Sequence, residues 1–234
     1  MKTIGILGGL GPETTSKVYH SIIDAFRKNK KDRYPSILIY NLPFPFIIEN
    51  EAIIEGRNSY KMLPYLINGA KILEKGGADF GILPCNTLHK YIEDIRKSVR
   101  IPFLSIVDET LSKLKSIRAN KVGILATETT VKDKLYDKPL KACGIKVLYP
   151  TRKDQDLINK IIVELLNNKK NKSQVQEIKT ICLSLKDRGA DVILLACTDL
   201  QIITFDINMQ IPVIDTTEVL IRASVQKLID EKSE

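Results

Sequence analysis

The sequence predicts an α/β fold made of two pseudo-twofold-related lobes, each a parallel sheet flanked by helices, with the active site in the cleft between them. Three observations lead there. Short aliphatic and β-branched runs alternate with longer amphipathic stretches along the 234 residues, which is the pattern of alternating strands and helices. The strand candidates are apolar on both faces, as strands buried between helix layers must be. The stretch Gly77-Ala78-Asp79-Phe80-Gly81-Ile82-Leu83-Pro84-Cys85 recurs as Gly189-Ala190-Asp191-Val192-Ile193-Leu194-Leu195-Ala196-Cys197, so the chain carries two related halves.

Taken in order, the expected strands are residues 3–7, 36–40, 80–83, 103–106, 121–125, 146–148, 192–195 and 213–214, with helices at 14–29, 59–75, 156–167 and 173–188. The chain is expected to cross between lobes near 109–117 and to return after Ile211, giving residues 1–112 with 211–234 as one lobe and 113–210 as the other. Each half has the size of a minimal domain, and a cleft between two such lobes is where a small ligand is expected.

Composition narrows the function. With 44% hydrophobic and 27% charged residues the chain can bury a sizeable core, and no apolar run reaches the roughly 18 residues of a membrane span. The opening MKTIGILGGLGP runs from a short apolar stretch into glycines and a proline, so it reads as a first strand and its turn, not as a secretory leader. Four scattered cysteines give neither a disulfide framework nor a Cys-x-x-Cys zinc spacing, which points to a reducing, cytoplasmic setting. The net charge of +8 arises in part from Arg27-Lys28-Asn29-Lys30-Lys31 and Lys169-Lys170-Asn171-Lys172, at expected helix ends where cations suit the helix dipole. Without a nucleic-acid-binding motif, nucleic acid is not an expected partner. Two histidines with no clustered carboxylates predict no metal site.

Cys85 and Cys197 each follow an apolar strand and open a turn or helix. Ligands of open α/β sheets bind beyond the carboxyl ends of the strands, and a helix start favours a thiolate. A free cysteine is also a good buried filler, but the duplicated setting, Cys-Asn-Thr and Cys-Thr-Asp, favours function. Cys143 and Cys182 lack it and read as inert. The turn Gly8-Gly9-Leu10-Gly11-Pro12 fits neither a dinucleotide fingerprint nor a Walker loop. It offers backbone N–H groups suited to a small carboxylate, or serves as a tight connection. Thr127-Glu128-Thr129-Thr130 occupies the corresponding place in the second half. His89, four residues after Cys85, reads as a structural hydrogen-bonder. Residues 44–58 read as a lid, or as a surface that packs at a dimer interface, and Arg57 is the cation nearest that segment.

On Gly8-Gly9-Leu10-Gly11-Pro12, Pro84-Cys85-Asn86-Thr87-Leu88-His89, Leu125-Ala126-Thr127 and Ala196-Cys197-Thr198-Asp199-Leu200, the sequence resembles the cofactor-independent aspartate/glutamate racemase family. Asp199 stands where many relatives have Glu. No Arg follows the second strand until Arg57, and Asn167, with Lys169 and Lys170 beyond it, stands where a Lys is usual. The resemblance implies two lobes, a homodimer, no cofactor, and Cys85 and Cys197 as the catalytic pair acting on a small acidic amino acid, most of all aspartate. Leu10, Asn86, Thr87, Thr127, Thr198 and Arg57 are the expected substrate-binding residues. A thiol-dependent decarboxylase or cis–trans isomerase of another diacid, or a non-catalytic binder of an acidic metabolite, are the alternatives. A pyridoxal phosphate enzyme is disfavoured because nothing marks one lysine as a Schiff-base partner.

Overall fold

An aliphatic run free of proline forms the first strand, β1 (Thr3–Gly8), and the glycine turn after it releases the chain into α1 (Pro12–Asn29). The computed structural model describes residues 1–29, 32–54, 56–167, 169–201 and 210–230. Lys30 and Lys31 of the first basic cluster lie outside the described residues. The chain divides into two units, Met1–Glu109 with Thr217–Glu234, and Thr110–Thr216.

In the first unit β2 (Ser36–Asn41) is followed by a short α2 (Phe46–Glu49), a π-helical turn Asn50–Ile54 and a 3-10 turn Ser59–Met62. Then come α3 (Leu63–Lys75), β3 (Phe80–Ile82), the 3-10 turn Thr87–Tyr91, α4 (Ile92–Ser98) and β4 (Phe103–Leu104). All strands pair in parallel in the order β2-β1-β3-β4. The chain enters the second unit within α5 (Ile106–Ser116). There follow β5 (Lys121–Ala126), α6 (Glu128–Lys132), α7 (Asp137–Ala142), β6 (Lys146–Leu148), α8 (Arg152–Leu166), α9 (Lys172–Asp187), β7 (Val192–Ala196), a 3-10 turn Thr198–Leu200 and β8 (Val213–Asp215). The second sheet is also parallel, in the order β6-β5-β7-β8, the same topology as the first. The last helix, α10 (Thr216–Ile229), returns the chain to the first unit.

The repeated Gly-Ala-Asp explains itself locally. Gly77 and Gly189 adopt φ +88° and +90°, a left-handed conformation that ends α3 and α9 without the penalty a Cβ would bring. The following N–H groups close back on the helices, Ala78 to the Leu73 carbonyl at 3.1 Å and Ala190 to that of Leu185 at 3.0 Å. Each aspartate then locks the amino end of its sheet. The Asp79 carboxylate accepts the Thr3 N–H at 2.6 Å. That of Asp191 accepts the N–H groups of Asn120 at 2.8 Å and Lys121 at 2.7 Å.

The expected elements differ from the observed ones at their ends. Ile106 begins a helix instead of closing a strand, because Ser105 caps it: its hydroxyl accepts the Asp108 N–H at 3.1 Å. Likewise α8 starts at Arg152, four residues earlier than expected, because the Thr151 hydroxyl accepts the Asp154 N–H at 3.2 Å. Residues 211–216, placed by the sequence with the first lobe, belong to the second unit: Val213 and Ile214 pair with Ile193 and Leu194 of β7. Nor is β2 buried on both faces, since it is the edge of its sheet and exposes Ile39. Among the described residues no helix is long and apolar enough to cross a membrane.

Candidate active site

In the first unit the candidate residues lie at neighbouring strand ends. Ile6 of β1 lies opposite Ile82 of β3, so the turns that follow these strands adjoin at the carboxyl edge of the sheet, where ligands of such sheets bind. After β3 the chain bends through Leu83 and Pro84, with the Cys85 N–H donating to the Leu83 carbonyl at 2.9 Å. Cys85 is 8% exposed and packs in the core cluster that holds Leu7, Leu10, Leu83 and Leu88. Leu10 belongs to the same buried cluster as Cys85, its side chain in the core. Asn86 and Thr87 are buried beside the sulfur-bearing residue. At the glycine turn Gly9 has φ +98°, and a Cβ there would stand 2.7 Å from the Leu42 nitrogen, so only glycine fits. Its N–H donates to the Thr15 hydroxyl at 3.0 Å. That donor is therefore engaged within the protein, which removes part of the carboxylate cradle the sequence suggested.

The second unit repeats the arrangement with different chemistry. Ala126 of β5 lies opposite Ala196 of β7, bringing Thr127 and Cys197 to adjacent strand ends. Thr127 caps α6, accepting the Thr130 N–H at 3.2 Å. Cys197 is 6% exposed, and its thiol donates to the Asp199 carboxylate at 3.7 Å. Thr198 is half-buried in the same turn. Behind Thr127, Gln155 of α8 donates through its amide to the Ala126 carbonyl and to Asn159, both at 2.9 Å. Gln155 was not legible as a site residue, because a lone glutamine in a helical first turn carries no pattern.

His89 has more structure around it than its sequence position suggested. It is 1% exposed, and its Nε2 accepts the Ile106 N–H at 2.9 Å. The neutral ring then carries its proton on Nδ1. Burial pushes its pKa down to about 3, while the facing carbonyls of Cys85 and Leu83 act in the opposite sense. Arg57 is exposed and ion-paired with Glu51 at 3.4 Å. Glu51 also accepts from Lys61 at 3.0 Å and Asn58 at 3.2 Å, and these donors, Lys61 foremost, hold its carboxyl below the usual range. The expected lid segment exposes Phe46 and Ile47, 83% and 70%; residue 55 of it lies outside the described residues. Cys182 is buried in α9, its thiol pushed up to about 12 by desolvation. Among the described residues no three His, Cys, Asp or Glu side chains gather as a metal site.

A family model described as Asp/Glu/hydantoin racemase matches residues 7–224. The chain is 34% identical, over 98% of its own length and the full length of the relative, to the broad specificity amino-acid racemase RacX of Bacillus subtilis. Among solved structures, an aspartate racemase homologue from Pyrococcus horikoshii superposes with a TM-score of 0.81 at 28% identity, covering 97% of this chain and 99% of the other. The Picrophilus torridus aspartate racemase superposes with a TM-score of 0.80 at 29% identity, covering 97% and 94%. The two parallel four-stranded sheets, the paired strand-end cysteines and these matches along nearly the whole length agree: the chain belongs to the Asp/Glu/hydantoin racemase family.

Proposed function

We propose that this amino-acid racemase interconverts L- and D-aspartate by a two-base transfer between Cys85 and Cys197, without a cofactor. The observation that carries the reading is the duplicated strand-end cysteine, at the end of β3 in one sheet and of β7 in the other. One sulfur, as thiolate, removes the α-proton from one face of the amino acid; the other, as thiol, delivers its proton to the opposite face. Afterwards the first is a thiol and the second a thiolate, and the reverse reaction starts from that state. Two bases of one chemical kind suit a reaction whose substrate and product are mirror images. Asn86, Thr87, Thr127 and Thr198, with the Leu10 turn, hold the substrate carboxylates by hydrogen bonds and oppose the charge that develops at the α-carbon. Arg57 holds the side-chain carboxylate. The basic chain raises the local concentration of an anionic substrate.

A broader substrate range is the second reading, favoured by one contact: Arg57 is already paired with Glu51, which Lys61 also holds. A cation so engaged discriminates less sharply for a second carboxylate, and the RacX relative is described as broad in specificity. One experiment tests both. Dialysed protein with a chelator is incubated with single L-amino acids in deuterated water, and α-deuterium and D-product are followed. Aspartate should react fastest. Equal turnover of alanine and aspartate leaves the broad reading, and no α-exchange from any amino acid overturns both.

A further inference from the structure

His89 is a buried polar group that the fold leaves with half its hydrogen-bonding capacity unused. Its Nε2 accepts from Ile106, the first residue of α5, but its Nδ1, shut off from solvent, makes no hydrogen bond of ordinary geometry. Buried polar atoms without partners are rare enough to need a reason. The groups that face this one are the carbonyls of Cys85 and Leu83, and Cys85 and Leu83 are themselves joined, N–H to carbonyl, at 2.9 Å. The turn that aims the sulfur therefore has a donor waiting behind it, on a ring anchored to the start of α5. Catalytic hydrogen bonds are commonly long before substrate binds and tighten afterwards.

We propose that His89 is a positioning residue for Cys85: when the Cys85-Asn86-Thr87 turn closes on substrate, the imidazole Nδ1–H donates to the Cys85 carbonyl and fixes the sulfur against the α-proton. The proposal rests on Cys85 being one of the two acid/base thiols. The second unit has no counterpart, because Gln201 stands four residues after Cys197, where His89 follows Cys85.

Two variants separate the two sides of the ring. His89→Gln places an amide oxygen where Nε2 lies and preserves the Ile106 contact, but puts no donor at the Nδ1 position. His89→Asn reaches the Nδ1 position and falls short of Ile106. The readout is α-deuterium wash-in measured separately from L- and D-aspartate, with Cys85→Ala identifying the enantiomer that Cys85 deprotonates. His89→Gln should melt near the wild-type temperature, yet lose about tenfold in exchange of that enantiomer relative to the other, the effect of one hydrogen bond. His89→Asn should melt lower and keep the wild-type ratio. An unchanged ratio in His89→Gln, or an equal loss for both enantiomers, overturns the proposal. If His89→Gln fails to fold, the ratio in His89→Asn decides: retained supports it, lost overturns it. A Cys85→Ala enzyme that exchanges both enantiomers equally removes the two-cysteine reading, and this proposal with it.

Discussion

The two cysteine turns share one topology and differ in what stands behind the sulfur. In the first unit the turn after β3 is backed by a buried, neutral imidazole tied to α5. In the second, the turn after β7 has a carboxylate two residues on, accepting from the thiol itself, and the adjacent strand end is backed by Gln155. Duplication thus preserved the strand, the cysteine after it and the sheet order, while the supporting polar groups diverged. Identical sulfurs in unlike settings need not be equivalent bases, and that difference is open to measurement.

The largest effect comes from removing either sulfur. Cys85→Ala and Cys197→Ala should each lower racemisation by roughly 10²–10⁴-fold, the range of a lost general acid or base, and should leave α-exchange of opposite enantiomers. Polarimetry together with deuterium wash-in checks this; near-normal racemisation by either variant breaks the comparison at its root.

Next is a pH effect confined to the first unit. His89 is held neutral when folded, with its pKa down from 6.5 to about 3. Between those values the unfolded chain binds the extra proton and the folded chain does not, so stability is full above about pH 6.5 and falls as the pH drops toward 3. Urea titrations at pH 7.5 and 4.5 should show the wild type losing more stability than His89→Gln. Equal losses would mean that the imidazole is not desolvated in solution.

A smaller contrast lies at the opposite ends of the sheets. Asp191 accepts two backbone N–H groups and Asp79 one. Asp191→Ala should cost about 2 kcal/mol and Asp79→Ala about 1 kcal/mol, read from denaturant midpoints, with little change in the ratio of exchange from the two enantiomers. The reverse ranking would show that strand pairing alone sets the register.

The smallest effect on stability belongs to Arg57→Ala, within about 0.5 kcal/mol, because exposed ion pairs contribute little. Its kinetic effect sharpens the specificity question: a raised KM for aspartate places Arg57 at the side-chain carboxylate, and an unchanged one removes it.

Much of this was readable from residue order. An apolar run followed by cysteine, found twice, locates two parallel strand ends, because side chains beyond the carboxyl end of such a strand face ligand. What escaped depends on partners distant in sequence or on competition between local signals. Ser105 and Thr151 are short polar residues that cap helices, and nothing in a strand-like or loop-like window announces that role. The three residues of β8 are too few to reveal which sheet they join; only their pairing with β7 does. Glu51, folded back through a π turn, pairs with Arg57, a contact that a six-residue separation in a loop-like window does not announce. The unmet Nδ1 of His89 exists only once α5 and the Cys85 turn are packed together.

The distance from the locking aspartate to the cysteine is six residues in both halves, Asp79 to Cys85 and Asp191 to Cys197. It works as a ruler. In both halves the same six steps lead from the hook at the amino end of the sheet to the sulfur beyond its carboxyl edge, though β3 ends at Ile82 and bends before Cys85 while β7 runs on to Ala196. One residue more or fewer would turn the side chain to the other face of the pleat. Outside this segment the matching positions drift, from 118 residues apart at Gly5 and Gly123 to 110 at Ile101 and Ile211. Insertions have been absorbed between the matching segments and not along the ruler, where length itself is under constraint.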